Sequence, residues 1–366
     1  MRSSSREGSA PASPAAKSVA VAAASALDFR SDVRGRRVRC MLGKATSYAL
    51  LLCLALAPGC GQKEAITPVS EGKVLTAAEI EKDPIALLPG GMVAFGRADA
   101  KAFFASPTAP QSTQAALALV PLTPEMGFVP SRDLSLLHFA GYAMSGSDFC
   151  AVVEGSFDKD AIAKAADRGA LSAAGKPLVK SSYADRDVFV SGDVALTVLT
   201  SKISLAGSQT GVRRALDRIR DRRVKREVSS EWLEFVNKPG THFALIADSS
   251  KESLSDATLK EAPYLRGAKT AKVLGTFEGP GANVGGVVSY DTVENAQRGE
   301  AQAKEWQQMA GLMNFFAIFG AKSPIKHMET RIADRDLQIA AVLDGPATVA
   351  VVGWLAQRLS TPGGLR

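Results

Sequence analysis

Cysteine is scarce in this 366-residue sequence, and its placement excludes a disulfide framework. The four cysteines are Cys40, Cys53, Cys60 and Cys150. Only Cys150 stands beyond the first 60 residues, so the downstream part has no partner with which to form a disulfide. It must be stabilised by its apolar core, and within the strand-like DFCAVVEG we expect Cys150 to be a small buried apolar group.

Histidine is equally scarce, which argues against a metal centre. The three histidines are His138, His242 and His327. None has a second histidine or cysteine at ligand spacing, whereas a metal site needs three or four converging ligands. We therefore expect structural or surface histidines and no bound metal.

The sequence also lacks an apolar run long enough to cross a membrane. The longest early run, 45–58, is shorter than the roughly 20 residues that a transmembrane helix needs. Met41 and Lys44 precede it, and the small residues Ala57 and Gly59 follow it. A basic start, a short apolar stretch and small residues before a cleavage point are typical of a secretory signal peptide, here 41–59.

Cys60 makes this signal more specific. The segment Leu56-Ala57-Pro58-Gly59-Cys60 resembles the lipobox of bacterial lipoproteins, with alanine at the usual leucine position. The resemblance implies that the Cys60 sulfur carries a lipid, that 41–59 is removed, and that the new amino terminus is acylated. No aspartate follows Cys60, which in the enteric lipoproteins implies the outer membrane, facing the periplasm. A plain cleaved signal with an incidental cysteine remains the alternative.

Residues 1–40 do not fit the usual short start of a signal peptide. They are rich in serine, alanine and arginine, and we interpret them as a start assigned too early, with Met41 as the initiator, or as a disordered leader. A twin-arginine signal at Arg36-Arg37 and an organelle transit peptide are the alternatives.

The formal charge of +7 does not indicate a nucleic-acid partner. Nine of the 44 basic residues precede Cys60, but only three of the 37 acidic ones do. The remaining 35 basic and 34 acidic residues nearly balance, so bulk charge gives no reason for nucleic-acid binding.

Beyond a polar tether, 60–84, the sequence repeats three landmarks in the same order. They are GMVAFGRAD (91–99) with GTHFALIAD (240–248), VVEGSFD (152–158) with VVSYD (287–291), and YADRDV (183–188) with IADRDL (332–337). The first and third pairs are both offset by 149 residues. This pattern predicts a duplication with modules at 85–238 and 239–366.

The landmarks also predict local structure. Asp-Arg-Asp between strand-like runs indicates tight hairpin loops, and Asp158 and Asp291 stand where a strand gives way to a helix, which favours helix capping. Strands joined mostly by hairpins predict an α+β fold of mostly antiparallel sheet with helices packed on one face. The expected helices are 100–119, 158–168, one after Gly211, one from Thr292, and 346–360.

Catalytic motifs are absent from the sequence. It contains neither G-x-S-x-G nor H-E-x-x-H. Ser156 and Lys159 have the S-x-x-K spacing of penicillin-recognising enzymes, but no K-T-G or S-D-N accompanies them. The glycine-rich stretch 279–285 lies between two strands and predicts a turn. We expect no catalytic residues and no cofactor.

The predicted helix from Thr292 carries the most suggestive stripe. Trp306, Met309, Met313 and Phe316 recur at helical spacing, and methionine adapts to irregular partners. They are candidates for lining a hydrophobic groove for a lipid or an envelope protein. The alternative is that they form the core of the second module.

These patterns predict a membrane-anchored envelope lipoprotein that is not an enzyme and that binds or scaffolds. The alternative is an envelope hydrolase whose active site has no recognised motif. A cleft with a serine or aspartate near a base would favour the hydrolase, and an apolar groove would favour the binder.

Overall fold

The computed structural model describes residues 75–107, 109–110, 122–279, 281–315 and 325–349. They all belong to the second of two units, Thr67–Arg366. The leader 1–40, the signal 41–59, Cys60, Phe316 and the end of the predicted helix 346–360 lie outside the described residues.

One antiparallel sheet of twelve strands organises the described chain. The strands are β1 Ala94–Asp99, β2 Leu134–Gly141, β3 Phe149–Gly155, β4 Val179–Tyr183, β5 Arg186–Ser191, β6 Val194–Val198, β7 Ile203–Ser208, β8 Phe243–Asp248, β9 Ala268–Thr276, β10 Ala282–Tyr290, β11 Ile325–Ala333 and β12 Asp336–Leu343. Their order is β11-β12-β10-β9-β8-β1-β2-β3-β7-β6-β5-β4. With the helices below, this confirms the predicted α+β class.

Eight helices lie among the described residues. They are α1 Ala77–Lys82, α2 Ala100–Ala105, α3 Pro130–Asp133, α4 Lys159–Asp167, α5 Gln209–Arg220, α6 Ser230–Val236, α7 Asp256–Glu261 and α8 Val293–Phe315. The expected helix 100–119 begins as predicted, but α2 ends at Ala105, where Ser106 turns back to the Phe103 carbonyl. The sequence patterns did not indicate α1 or α6.

Capping explains two helix starts. The Asp158 carboxylate accepts a hydrogen bond from the Ala161 N–H at 2.9 Å, so its predicted capping role is confirmed. Asp291 was wrongly expected to cap α8. The Thr292 hydroxyl accepts from the Asn295 N–H instead, and Asp291 accepts from the Asn295 side chain.

Near the middle of the sheet, β1 pairs with β8. These strands belong to the first repeated landmark, and they run antiparallel with Gly96 opposite Leu245. Gly96 is the sixth residue of the segment 91–99, and Leu245 is the sixth residue of the segment 240–248. Equivalent residues of the two repeats therefore lie opposite each other, as they would about a local twofold axis. The sheet therefore runs without a break across the proposed module boundary.

The third landmark pair takes up different positions in the two halves. In the β4–β5 hairpin Tyr183 pairs with Arg186, and in the β11–β12 hairpin Ala333 pairs with Asp336. The repeated Ala-Asp-Arg-Asp therefore enters the two turns at positions one residue apart. In addition, β6 and β7 separate β5 from β3, while β12 lies directly beside β10. The duplication and its boundary at 238 and 239 stay predictions.

The first half of the sheet is covered on both faces. Alternate residues of β3 enter opposite cores: Cys150 and Val152 pack with α5, and Ala151 and Val153 pack with α4. Because both faces are apolar, β6 reads as the continuous run VALTV and all five of its residues are buried. Cys150 is fully buried and unpaired, as expected from the sequence.

In the second half, α8 covers one face. Ala296 of α8 packs in a small core with Val288, Tyr290 and Leu337. This is the one-sided arrangement that the sequence predicted, whereas the first half adds a helix on its second face. Among the described residues, no helix lies across the other face of β10–β12.

His138 is a buried polar group without a hydrogen bond. Its side chain is 5% exposed, and neither ring nitrogen has a partner among the described residues. The nearest carboxylate oxygen, Glu154 Oε1, lies 3.8 Å from Nδ1. Burial, with help from the charges of Arg97 and Arg226, lowers the pKa of His138 to about 4.

We therefore expect acid to destabilise the protein through His138. The folded-state pKa lies below the ordinary 6.5, so the unfolded chain takes up a proton first and stability falls as the pH drops from 6.5 towards 4. One such group contributes a slope of about 1.4 kcal/mol per pH unit. Urea unfolding at pH 7, 6 and 5 should show this slope in the wild type and a smaller one in His138→Phe. Equal slopes would contradict this assignment.

Gly96 is required by close packing at the centre of the sheet. An added Cβ would lie 2.2 Å from the Phe139 ring and 2.9 Å from the Ala244 carbonyl oxygen. Gly96→Ala should lower the free energy of unfolding by about 1–3 kcal/mol, measured by chemical denaturation. Gly285→Ala is the control, because its Cβ meets only Leu274 at 3.6 Å. Equal losses in both variants would disprove the packing explanation.

Candidate functional site

The sequence-predicted site residues are not tested by the described structure. Trp306, Met309 and Met313 lie in α8, but their side chains are outside the described residues, as are Phe316 and Cys60. The hydrophobic stripe and the lipidation site stay predictions.

The structure instead presents a groove on the face of β9–β12 opposite α8. It encloses about 460 Å³ and opens to solvent. Its lining residues are Phe235, Lys272, Leu274, Gly285, Gly286, Val287, Glu329, Thr330, Arg331, Gln338, Ile339 and Ala340. No pattern search of the sequence identified this site.

Strand register explains the shape of the groove. One row across the sheet is Leu274, Gly285, Ala340 and Glu329, in which each residue lies opposite the next. The adjacent row is Lys272, Val287, Gln338 and Arg331. Gly285 and Ala340, in the middle of the first row, have almost no side chain and leave a depression in the sheet surface. The larger side chains at the ends of the row, Leu274 and Glu329, form the walls of the groove.

The wall at the β9 side combines apolar and basic groups. Phe235 at the end of α6 packs against the same core as Leu274. Lys272 Nζ lies 2.8 Å from Glu231 and 5.9 Å from the centre of the Phe235 ring. This wall therefore offers an apolar surface with one cation at its rim.

The wall at the β11 side is charged. Glu329 is 73% exposed and lies 2.9 Å from His327 Nε2. Arg331 is exposed and forms no ion pair with any described residue. Lys272 and Arg331 thus flank an apolar floor, and since Lys272 is already paired with Glu231, Arg331 is the cation that has no ion pair among the described residues. This arrangement suits a ligand with an apolar body and one negative group.

The groove offers no nucleophile with an adjacent base. Its lining contains no serine, cysteine, aspartate or histidine. Elsewhere, burial raises the pKa of the Cys150 thiol to about 12, which keeps it unreactive, and Lys159 of the S-x-x-K sequence pairs with Asp187 at 3.1 Å. Among the described residues, no group of three His, Cys, Asp or Glu side chains could hold a metal ion.

One sequence signal could have located the groove. The stretch 279–285, predicted to be a turn, ends inside β10, where Gly285-Gly286 interrupts the strand pattern. Glycine inside a strand marks a site where a ligand or another backbone can approach closely. The sequence could not show that Ala340 lies beside it, because that register depends on the long-range pairing of β10 with β12.

Fold and groove together define an antiparallel α+β protein with an open groove on its sheet. None of the described helices is long and apolar enough to cross a membrane.

No protein-family model matches the sequence, and no curated protein matches it significantly. Three solved structures of the protein TP0453 have a similar fold. Crystal form I aligns with a TM-score of 0.48 at 10% identity, over 75% of this chain and 97% of that one. Form III gives 0.48 at 9% over 74% and 97%, and form IV gives 0.43 at 10% over 74% and 96%. Similarity at this level carries no functional argument.

Filling the groove should abolish binding without unfolding the protein. Gly285→Leu places a side chain over the floor, and its Cβ meets only Leu274 at an ordinary contact distance. We expect the wild type to bind the anionic apolar dye anilinonaphthalene sulfonate, measured by fluorescence, and the variant to lose at least about 1.4 kcal/mol, or tenfold, in affinity.

Gly286→Ala is the control, because strand alternation directs a Cβ added there to the opposite face, where it meets Val273 at 3.7 Å. Equal dye binding by all three proteins, at unchanged melting temperatures, would show that the groove is not the binding site.

Proposed function

We propose that this protein is a lipid-anchored envelope protein that works by binding, not by catalysis, and that its ligand enters the groove over β9–β12. The observation that carries the proposal is the apolar floor of Gly285, Val287 and Ala340 between the cations Lys272 and Arg331. Among the described residues, no helix covers this floor.

The composition of the groove supports binding over hydrolysis. Hydrolases of the serine and cysteine classes need a nucleophile within hydrogen-bond reach of a base. The groove lining contains no serine or cysteine, whereas apolar surface with a few charged groups is the usual character of a ligand site. The ligand class that fits is an amphiphile or a partner segment with one negative group.

The lipobox-like segment supports the anchored location. A lipidated Cys60 would begin the mature chain, and the first described helix begins at Ala77. The residues between them are long enough to act as a tether. Two or more acyl chains hold a protein to a membrane far more firmly than the marginal binding of one. We place the protein at the outer membrane, facing the periplasm.

Replacing the cysteine tests the anchor directly. Cys60→Ala in the full-length chain should move the protein from the membrane pellet to the soluble fraction, measured by immunoblotting after ultracentrifugation. Cys53→Ala, within the signal, is the control and should stay in the pellet. The mass of the amino-terminal peptide should show acylated Cys60. A Cys60→Ala protein that stays membrane-bound would contradict the proposed anchor.

A further inference from the structure

The strand β11 forms an open edge of the sheet. It is the last strand on its side in the described structure. A two-residue loop joins β11 to β12, so Ala333 and Asp336 next to the loop form a hydrogen-bonded pair. In an antiparallel ladder every second residue is hydrogen-bonded to the neighbouring strand, so Arg331 and Glu329 also bond to β12 through their backbone groups. The backbone groups of Met328, Thr330 and Ile332 therefore point away from β12. Among the described residues, the Met328 carbonyl alone of these groups has a partner, the Gln307 side chain, which donates to it at 2.7 Å.

The opposite edge of the sheet is shorter. β4 has only five residues, and just before it the Leu178 N–H donates to the Ala170 carbonyl at 2.9 Å and Leu171 forms a bridge with Pro177. Of the two described edges, the nine-residue β11 is the longer.

We infer that β11 pairs antiparallel with β11 of a second copy of this chain, about a twofold axis at Thr330. Thr330 then lies opposite itself, and its neighbours pair in a fixed way. Glu329 of each copy meets Arg331 of the other, and Met328 of each copy meets Ile332 of the other.

The side chains of β11 are self-complementary in this register and carry the inference. Directly opposed residues of unlike charge stabilise a strand pair, and like charges destabilise it. Both Glu329 and Arg331 are exposed, and Arg331 has no ion pair with any described residue. On the other face, Met328 and Ile332 form two apolar cross-strand pairs, which continue the core beneath α8.

The pairing also agrees with the backbone. The three outward residues of each copy provide six hydrogen bonds across the axis, since each opposed pair exchanges two. The Met328 carbonyl can accept a second bond beside that from Gln307, because a carbonyl oxygen has two lone pairs.

A partner on β11 would affect both α8 and the groove. α8 packs on β11 and β12, so a twofold axis normal to the sheet brings the two copies of this helix side by side. The sequence of its end, from Met309, is apolar nearly all round. The charged walls of the two grooves would meet at the axis, which would join the grooves into one surface.

Charge reversal tests the pairing through its symmetry. In the full-length chain, native mass spectrometry from detergent should show a dimer for the wild type. Arg331→Glu places two pairs of carboxylates opposite each other and Glu329→Arg two pairs of cations, so each should weaken dimerisation by at least about tenfold. Mixing the two variants should restore a heterodimer, because every opposed pair is again of unlike charge. The double variant should also dimerise.

The controls separate this from unfolding. Arg266→Glu makes the same charge change at an exposed site away from β11 and should stay dimeric. Circular dichroism spectra of all variants should match that of the wild type, because these exposed charges contribute little to the fold of one copy, whereas loss of the dimer lowers the melting temperature by mass action. Oxidised Thr330→Cys should form a disulfide-linked dimer that wild type, with its own cysteines, does not form.

A monomeric wild type would overturn the inference. Glu329 and Arg331 would then be charges that prevent this edge strand from pairing with another chain. Dimers in both single variants, or no recovery on mixing, would equally overturn it. The Cys60→Ala protein should dimerise too, so failure of the anchor and failure of the dimer are distinguishable.

Discussion

The backbone pairing of β1 with β8 is the interaction on which the rest of this structure depends. Among the described strands it is the only pairing between the two halves of the chain, and it joins five strands on one side to seven on the other. The contact needs a glycine at its centre, because the Phe139 ring occupies the space over Gly96. Without this register each half would expose a strand edge, so the two halves depend on each other for a complete sheet.

The unequal covering of the sheet follows from this frame. In the first half α4 and α5 pack on opposite faces, so central strands such as β3 and β6 are apolar on both sides. In the second half, the described residues place a helix, α8, on one face of the sheet and none on the other. The groove lies on the other face, where Gly285 and Ala340 lower the floor. The open groove and the larger apolar cores thus lie in different halves of one sheet.

The sequence predicted local structure where one short segment decides the outcome. Asp158 caps α4, the Asp185 and Asp334 hairpins form, and Cys150 is buried, because capping, turn conformation and the burial of a small apolar side chain depend mainly on neighbouring residues. Prediction was wrong at Asp291 because a neighbouring hydroxyl, Thr292, competes for the same N–H groups. The identical tetrapeptides at the two hairpins adopt registers one residue apart, which no local rule distinguishes.

The sequence by itself determined the class of fold, the absence of familiar catalytic motifs and the expectation of a lipid anchor at Cys60, since each of these is written in composition, alternation or a short motif. Tertiary structure alone decided which strands are neighbours. Lys272, Val287, Gln338 and Arg331 become one row only because β9, β10, β12 and β11 adopt this order. The physical reason is that strand order and register depend on pairings between distant segments, whereas helix starts and turns depend on residues three or four positions apart.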